Sequence, residues 1–219
     1  MIAGTLISND ILPIRTSDTG DEALAIMNEF GVRHLPIVNN KELLGVISED
    51  DILNYDVDEP LGSYRLSLFR PYVKERDHLF EVMKVLATQR LTLIPVVNEE
   101  EEYVGYVTQD DLLQYFAATA AFTEPGSIIV LELQRRDYSL VEIARIVESE
   151  NAQILSSFIT TNKDAFLMDV TIKVNRPDIH GIIATFERFN YKIKASFMEA
   201  QFTDSLRESY DLLMAYLSV

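Results

Sequence analysis

Apolar and polar positions alternate with two periods along this chain, and the changes of period mark its elements. Ala23, Leu24, Ile26, Met27 and Phe30 recur at helical spacing, as do Phe80, Val82, Met83, Val85 and Leu86. Each run leads into a short apolar stretch entered through a proline (residues 35–38 and 94–97), a polar turn, and a second stretch (43–47 and 103–107). These stretches predict paired strands, with a further helix beginning at Ser48 or Thr108. In the second half, Ser127–Gln134 reads as a buried strand, and Ser139 is placed to cap a helix bearing Leu140, Ile143, Ala144 and Val147. A strand over 152–160 and a turn over 161–164 follow. In the next stretch, 165–174, Phe166, Met168, Val170, Ile172 and Val174 face one way, and Asp169, Thr171 and Lys173 the other. Pro177 opens a helix with Ile179, Ile182, Ile183, Phe186 and Phe189, and 191–197 alternates as a last strand. This β-α-β-β-α-β order predicts a ferredoxin-like split with helices on one face.

The first half repeats itself. Gly31-Val32-Arg33-His34-Leu35-Pro36-Ile37-Val38-Asn39 returns as Arg90-Leu91-Thr92-Leu93-Ile94-Pro95-Val96-Val97-Asn98, an offset of 59 from Pro36 to Pro95. Gly45-Val46-Ile47-Ser48-Glu49-Asp50-Asp51 returns as Gly105-Tyr106-Val107-Thr108-Gln109-Asp110-Asp111 at an offset of 60, which places one inserted residue in the 99–102 loop. One copy alone leaves apolar helix and sheet faces bare, so the natural unit is a pseudo-twofold pair.

Composition narrows the function. Hydrophobic residues make up 47% of 219 and charged residues 25%, the mix of a globular chain. The absence of cysteine removes disulfides, thiolate catalysis and cysteine-held metal clusters. The net charge of −16 argues against nucleic acid and anionic membrane surfaces as partners. With no apolar run long enough to span a bilayer and no signal-like N-terminus, a cytoplasmic location is expected. Residues 1–123 carry 9 Lys and Arg against 21 Asp and Glu, whereas 124–219 carry 10 against 14. The change in balance suggests two domains, hinged at Thr123-Glu124-Pro125-Gly126.

The duplicated motifs resemble a tandem CBS module, the cystathionine-β-synthase-type pair that binds adenosine-containing ligands in regulatory proteins. The expected fold class is therefore α/β (α+β): a CBS pair over 1–120, with repeats at about 1–58 and 64–120. A ferredoxin-like domain follows over 127–202, and an amphipathic helix over 203–219 carries Leu206, Tyr210, Leu213 and Leu217. The second half looks like an ACT-type regulatory domain, an arrangement similar to acetoin-utilisation accessory proteins. Amino-acid-binding ACT domains usually carry glycine after their first strand. Here the loop is Arg135-Arg136-Asp137-Tyr138, so subunit pairing or relay fits better than an amino-acid site.

The resemblance implies that Ser48 and Thr108 face a ligand phosphate and that Asp51 and Asp111 accept from ribose hydroxyls. The same Ser/Thr-x-x-Asp spacing is also a capping box, and both readings stand on sequence. Arg33 and His34 would pair with phosphate oxygens in the first pocket; alternatively Arg33 is a solvated surface residue and His34 a hydrogen-bonded strand residue. Their counterparts, Thr92 and Leu93, cannot, and Arg90 is the nearest cation there, so two unequal sites are expected. The implied ligand is an adenosyl compound such as AMP, ATP or S-adenosylmethionine, held non-covalently. A balance of −12 over residues 1–123 favours a monophosphate, a Mg²⁺-neutralised nucleotide or a cationic compound over bare ATP. No nucleophile motif, P-loop or metal-ligand spacing occurs, so the chain reads as a non-catalytic sensor. A structural or interaction module with empty pockets is the alternative. Apolar side chains on the helices after Ser48 and Thr108 (Ile52, Leu53, Leu112, Leu113, Tyr115, Phe116) point to a homodimer.

Overall fold

Thr19 sets the start of the first helix. Its hydroxyl accepts the Glu22 N–H while the Glu22 carboxylate accepts the Thr19 N–H, which satisfies two of the donors a helix leaves bare. In the computed structural model this helix, α1 (Gly20–Phe30), leads to β1 (His34–Asn39), β2 (Glu42–Ser48) and α2 (Glu49–Leu53). The second repeat supplies β3 (Val73–Lys74), α3 (Leu79–Gln89), β4 (Leu93–Val97), β5 (Tyr103–Thr108) and α4 (Gln109–Ala117). The structure describes residues 1–64, 69–161 and 166–198, together with 214 and 216. The helix expected over 203–219 lies outside these apart from the two isolated positions, and the turn over 161–164 lies mostly outside them.

The duplication is exact in register. Leu35 pairs with Ile47 and Ile94 with Val107, each antiparallel, and each pair of strands bulges at the same place, Ile37/Val38 and Val96/Val97. Ile14 runs parallel to Ile37 as Val73 does to Val96. The repeats also exchange edges. Ser8, ahead of α1, bridges Tyr106 in β5, and Phe69, ahead of β3, bridges Val46 in β2. Two backbone bonds hold the first crossing, Ser8 N–H to Tyr106 O at 2.9 Å and Tyr106 N–H to Ser8 O at 3.1 Å. The Tyr106 hydroxyl accepts the Ile11 N–H at 2.9 Å. The cores interleave accordingly: Leu93 and Tyr106 pack with Ala23, Met27, Leu35, Ile37, Ile47 and Ile52 of the first repeat.

On α3 the buried stripe is Leu79, Val82 and Leu86, while Phe80 and Met83 stand 67% and 41% exposed, contrary to the expected face. Helical spacing admits two neighbouring stripes there, and the sheet takes the one that includes Leu79. Phe30 at the end of α1 is likewise exposed.

The chain divides into Met1–Phe116 and Ala117–Val219. The second unit holds α5 (Ala120–Thr123), β6 (Ser127–Gln134), α6 (Leu140–Ser149), β7 (Ile154–Thr161), β8 (Leu167–Val174), α7 (His180–Arg188) and β9 (Lys192–Phe197). Its sheet runs β7-β8-β6-β9, all antiparallel, which is the ferredoxin-like βαββαβ order. Ile143, Ile146, Val147, Ile182 and Phe186 cover one face of it, against Ile129, Leu131, Val170 and Ile172. Three expectations shift. Phe166 precedes β8 and is 79% exposed. α7 starts at His180, whose N–H donates to the Asp178 carboxylate at 3.0 Å, so residues 177–179 lie ahead of the helix. Leu140 and Phe189 sit at helix ends, exposed.

Candidate functional site

Each second strand ends in a hydroxyl that starts a helix. Ser48 Oγ donates to Asp51 Oδ2 at 2.6 Å, accepts the Asp51 N–H at 3.1 Å, and the same Oδ2 takes the Ser48 N–H at 3.0 Å. Thr108 and Asp111 repeat the pattern at 2.6, 3.0 and 2.9 Å. Both motifs are therefore capping boxes with one carboxylate oxygen committed. Among the described residues, Oδ1 of each aspartate has no donor. All four residues are half-buried.

Between the repeats lies a cavity of about 720 Å³. Arg33, His34 and Ser48 line it from the first repeat, and Arg90, Thr92 and Gln109 from the second. The structure thus brings together three of the six candidate residues, while Asp51, Thr108 and Asp111 are not on this wall. Arg90, expected to serve a second site, shares the cavity with Arg33. Local pseudo-symmetry explains this: β1 and β4 begin at His34 and Leu93, side by side through the bonds of Arg33 and His34 to Thr92, so residues just ahead of either strand line one cavity.

A three-residue knot closes that axis. The Arg33 N–H donates to Thr92 Oγ1 at 2.9 Å, Thr92 Oγ1 lies 3.1 Å from His34 Nδ1, and the Thr92 N–H donates to the same Nδ1 at 3.2 Å. A backbone N–H can only donate, so Nδ1 accepts and the neutral ring carries its proton on Nε2. Burial lowers the pKa of His34, assisted by the Arg33 charge and opposed by the Asp51 and Asp50 carboxylates. Thr92 was not among the candidates. Its only signal in the sequence is that it replaces Arg33 in the second copy.

Glu49, Asp50 and Asp51 take three directions. Glu49 lies 3.8 Å from Arg33, both largely exposed, Asp50 is on the cavity rim, and Asp51 caps. Among the described residues no cluster of histidine and carboxylate ligands could hold a metal ion. No described helix is long and apolar enough to cross a membrane.

Comparison with known proteins agrees with the first unit's architecture. The CBS domain model matches residues 3–58 and 70–118. The inosine-5'-monophosphate dehydrogenase of Korarchaeum cryptofilum is 26% identical over 110 residues, which are 50% of this chain and 23% of the dehydrogenase. The chain thus spans about a quarter of that relative's length. A CBS domain pair/ACT domain protein from Thermotoga maritima is 23% identical, covering 53% of this chain and 96% of its own, at a TM-score of 0.48. The cytosolic domain of the Mg²⁺ channel MgtE, solved in complex with ATP, is 26% identical over 52% of this chain and 48% of that one, at a TM-score of 0.42. With a duplicated register, exchanged edges and a double match to one family, the first unit of this chain is a tandem CBS domain pair.

Proposed function

We propose that this chain is a non-catalytic regulatory protein whose CBS pair binds an adenosine-containing ligand and whose occupancy is relayed through a homodimer. The observation that carries the reading is the inter-repeat cavity, where a bound molecule would touch Arg33, His34 and Ser48 of one repeat and Arg90 and Thr92 of the other. In this reading the arginines and Ser48 Oγ meet phosphate oxygens in the cavity, and Thr108 Oγ1, which is off its wall, would meet them only at a second site. The open Oδ1 atoms of Asp51 and Asp111 accept from ribose hydroxyls. AMP, ATP with Mg²⁺ and S-adenosylmethionine are the ligands to test first. The second unit acts as an ACT-like pairing or relay domain, similar to acetoin-utilisation accessory proteins, in a cytoplasmic protein with neither nucleic acid nor membrane as partner. A regulated protein partner belongs to this reading without being identified by it. The rival reading, an interaction module with empty pockets, draws on the capping bonds that already occupy Oδ2 of both aspartates.

Calorimetric titration with adenosine, AMP, ATP with and without Mg²⁺, and S-adenosylmethionine separates the two. At least one should bind and raise the melting temperature by mass action. Asp51→Asn and Asp111→Asn keep an oxygen for the cap and lose the charge, so one or both should weaken adenosine binding. Failure of every compound to bind leaves the interaction module; binding that is unchanged in both variants overturns the ribose role of Asp51 and Asp111.

A further inference from the structure

The two repeats end their first helix with different residues in the same conformation. Gly31 closes α1 at φ +66, with open space where a side chain would stand, and Arg90 closes α3 at φ +56. Left-handed backbone is free for glycine and strained for a residue with a β-carbon. The turn itself does not ask for arginine: Val32 N–H to Met27 O and Leu91 N–H to Leu86 O are both 3.0 Å. The second copy therefore holds a strained residue where the first shows that glycine serves, and that residue lines the inter-repeat cavity together with Arg33. A second difference points the same way. Gln109 stands on the wall where the first repeat has Glu49, so the second repeat contributes a cation to the cavity and no carboxylate.

We propose that Arg33 and Arg90 form one shared anion position, so that a CBS pair of this chain takes a single diphosphate- or triphosphate-bearing ligand gripped from both repeats, in place of two independent phosphate sites. This rests on the nucleotide-binding reading above and specifies its stoichiometry. Two guanidiniums, one from each repeat, match a chain of phosphates better than a lone one, since each can take its own pair of oxygens. The Glu49 contact with Arg33, long and exposed, is readily displaced. Glu49 and Asp50 on the same wall favour a chain that arrives with Mg²⁺ over a bare one.

Calorimetry at fixed Mg²⁺ concentration, with adenosine, AMP, ADP and inorganic pyrophosphate as probes, tests this on the wild type, Arg33→Ala and Arg90→Gly. One ADP or one pyrophosphate should bind per chain, and each substitution should weaken that same event about tenfold, as loss of a charge-assisted contact does. Adenosine affinity should stay unchanged. Arg90→Gly should also melt about 2 °C higher without ligand, because glycine relieves the left-handed turn. Two phosphate ligands per chain, an Arg90→Gly variant with unaltered ADP affinity, or one that melts lower and so needs the arginine to fold, would each overturn the proposal. If adenosine and AMP bind while the ADP results fail, the shared position falls and the nucleotide reading stands. If pyrophosphate behaves as stated while no adenine compound binds, the reverse holds.

Discussion

Protonation of His34 would set a second N–H against the Thr92 N–H that Nδ1 accepts, and the knot between the repeats would open. Because burial holds this histidine below its ordinary value of 6.5, the unfolded chain takes up its proton first as pH falls. The contribution of His34 to stability is thus complete above 6.5 and is lost as pH drops from there toward the folded value. Arg33 and Arg90 share its cavity and oppose the added charge, whereas Glu49, Asp50 and Asp51 favour it. Urea midpoints of wild type and His34→Gln between pH 7.5 and 5 should converge on acidification; parallel profiles would mean that the ring bond does not couple to the fold. The same residues show how far the sequence could be read. Ser48, Asp51, Thr108 and Asp111 are legible because a cap is closed within four residues. Thr92 is not, since its partners lie 58 and 59 residues away and no local pattern records them. Arg90 is visible as a cation, but its place on the same cavity as Arg33 depends on where the local twofold passes.

Elements were legible wherever one period dominated. β6 has the bounds its pattern predicts, and Met168, Val170, Ile172 and Val174 of β8 are buried as alternation requires. On α3 Val82 and Leu86 are buried as expected but Phe80 and Met83 are not, because two apolar rows run side by side, and α7 begins three residues after Pro177, next to an Asp178 bond that leaves no periodic trace. Glycine carries element-level information at one crossing. Gly105 in β5 lies at φ +149, and a β-carbon there would sit 2.8 Å from the Ser8 carbonyl oxygen, on the backbone that borrows the β5 edge. Gly105→Ala should therefore destabilise the first unit by about 1–3 kcal/mol, the range of overpacked sites. Amide exchange should locate the damage at Ser8 and Tyr106, whose bonds cross there. Uniform loss of protection across the unit, with those amides no worse than others, would contradict the assignment.

At the scale of the molecule, exposed apolar residues outnumber what a lone chain needs. Leu53, Phe80 and Leu113 of the first unit and Phe158 and Phe197 of the second are each more than half exposed. A homodimer hides such surface most simply, and light scattering at micromolar concentration should give about twice 25.0 kDa. With a net charge of −16 on each copy, association should tighten as salt rises. A 25.0 kDa particle at every salt and ligand concentration would remove the dimer and the relay together. The exchanged edges have a further consequence, for the order of events during synthesis. Ser8 leaves the ribosome 98 residues before Tyr106, its partner, and β2 waits similarly for Phe69. Neither repeat can finish its sheet while the other is missing, so the stretch around Ser8 settles only after β5 has been made, and loop closure over that span adds to the cost of folding the unit. A nascent chain halted inside β5 therefore holds a first repeat that is complete in sequence and still open at its amino end.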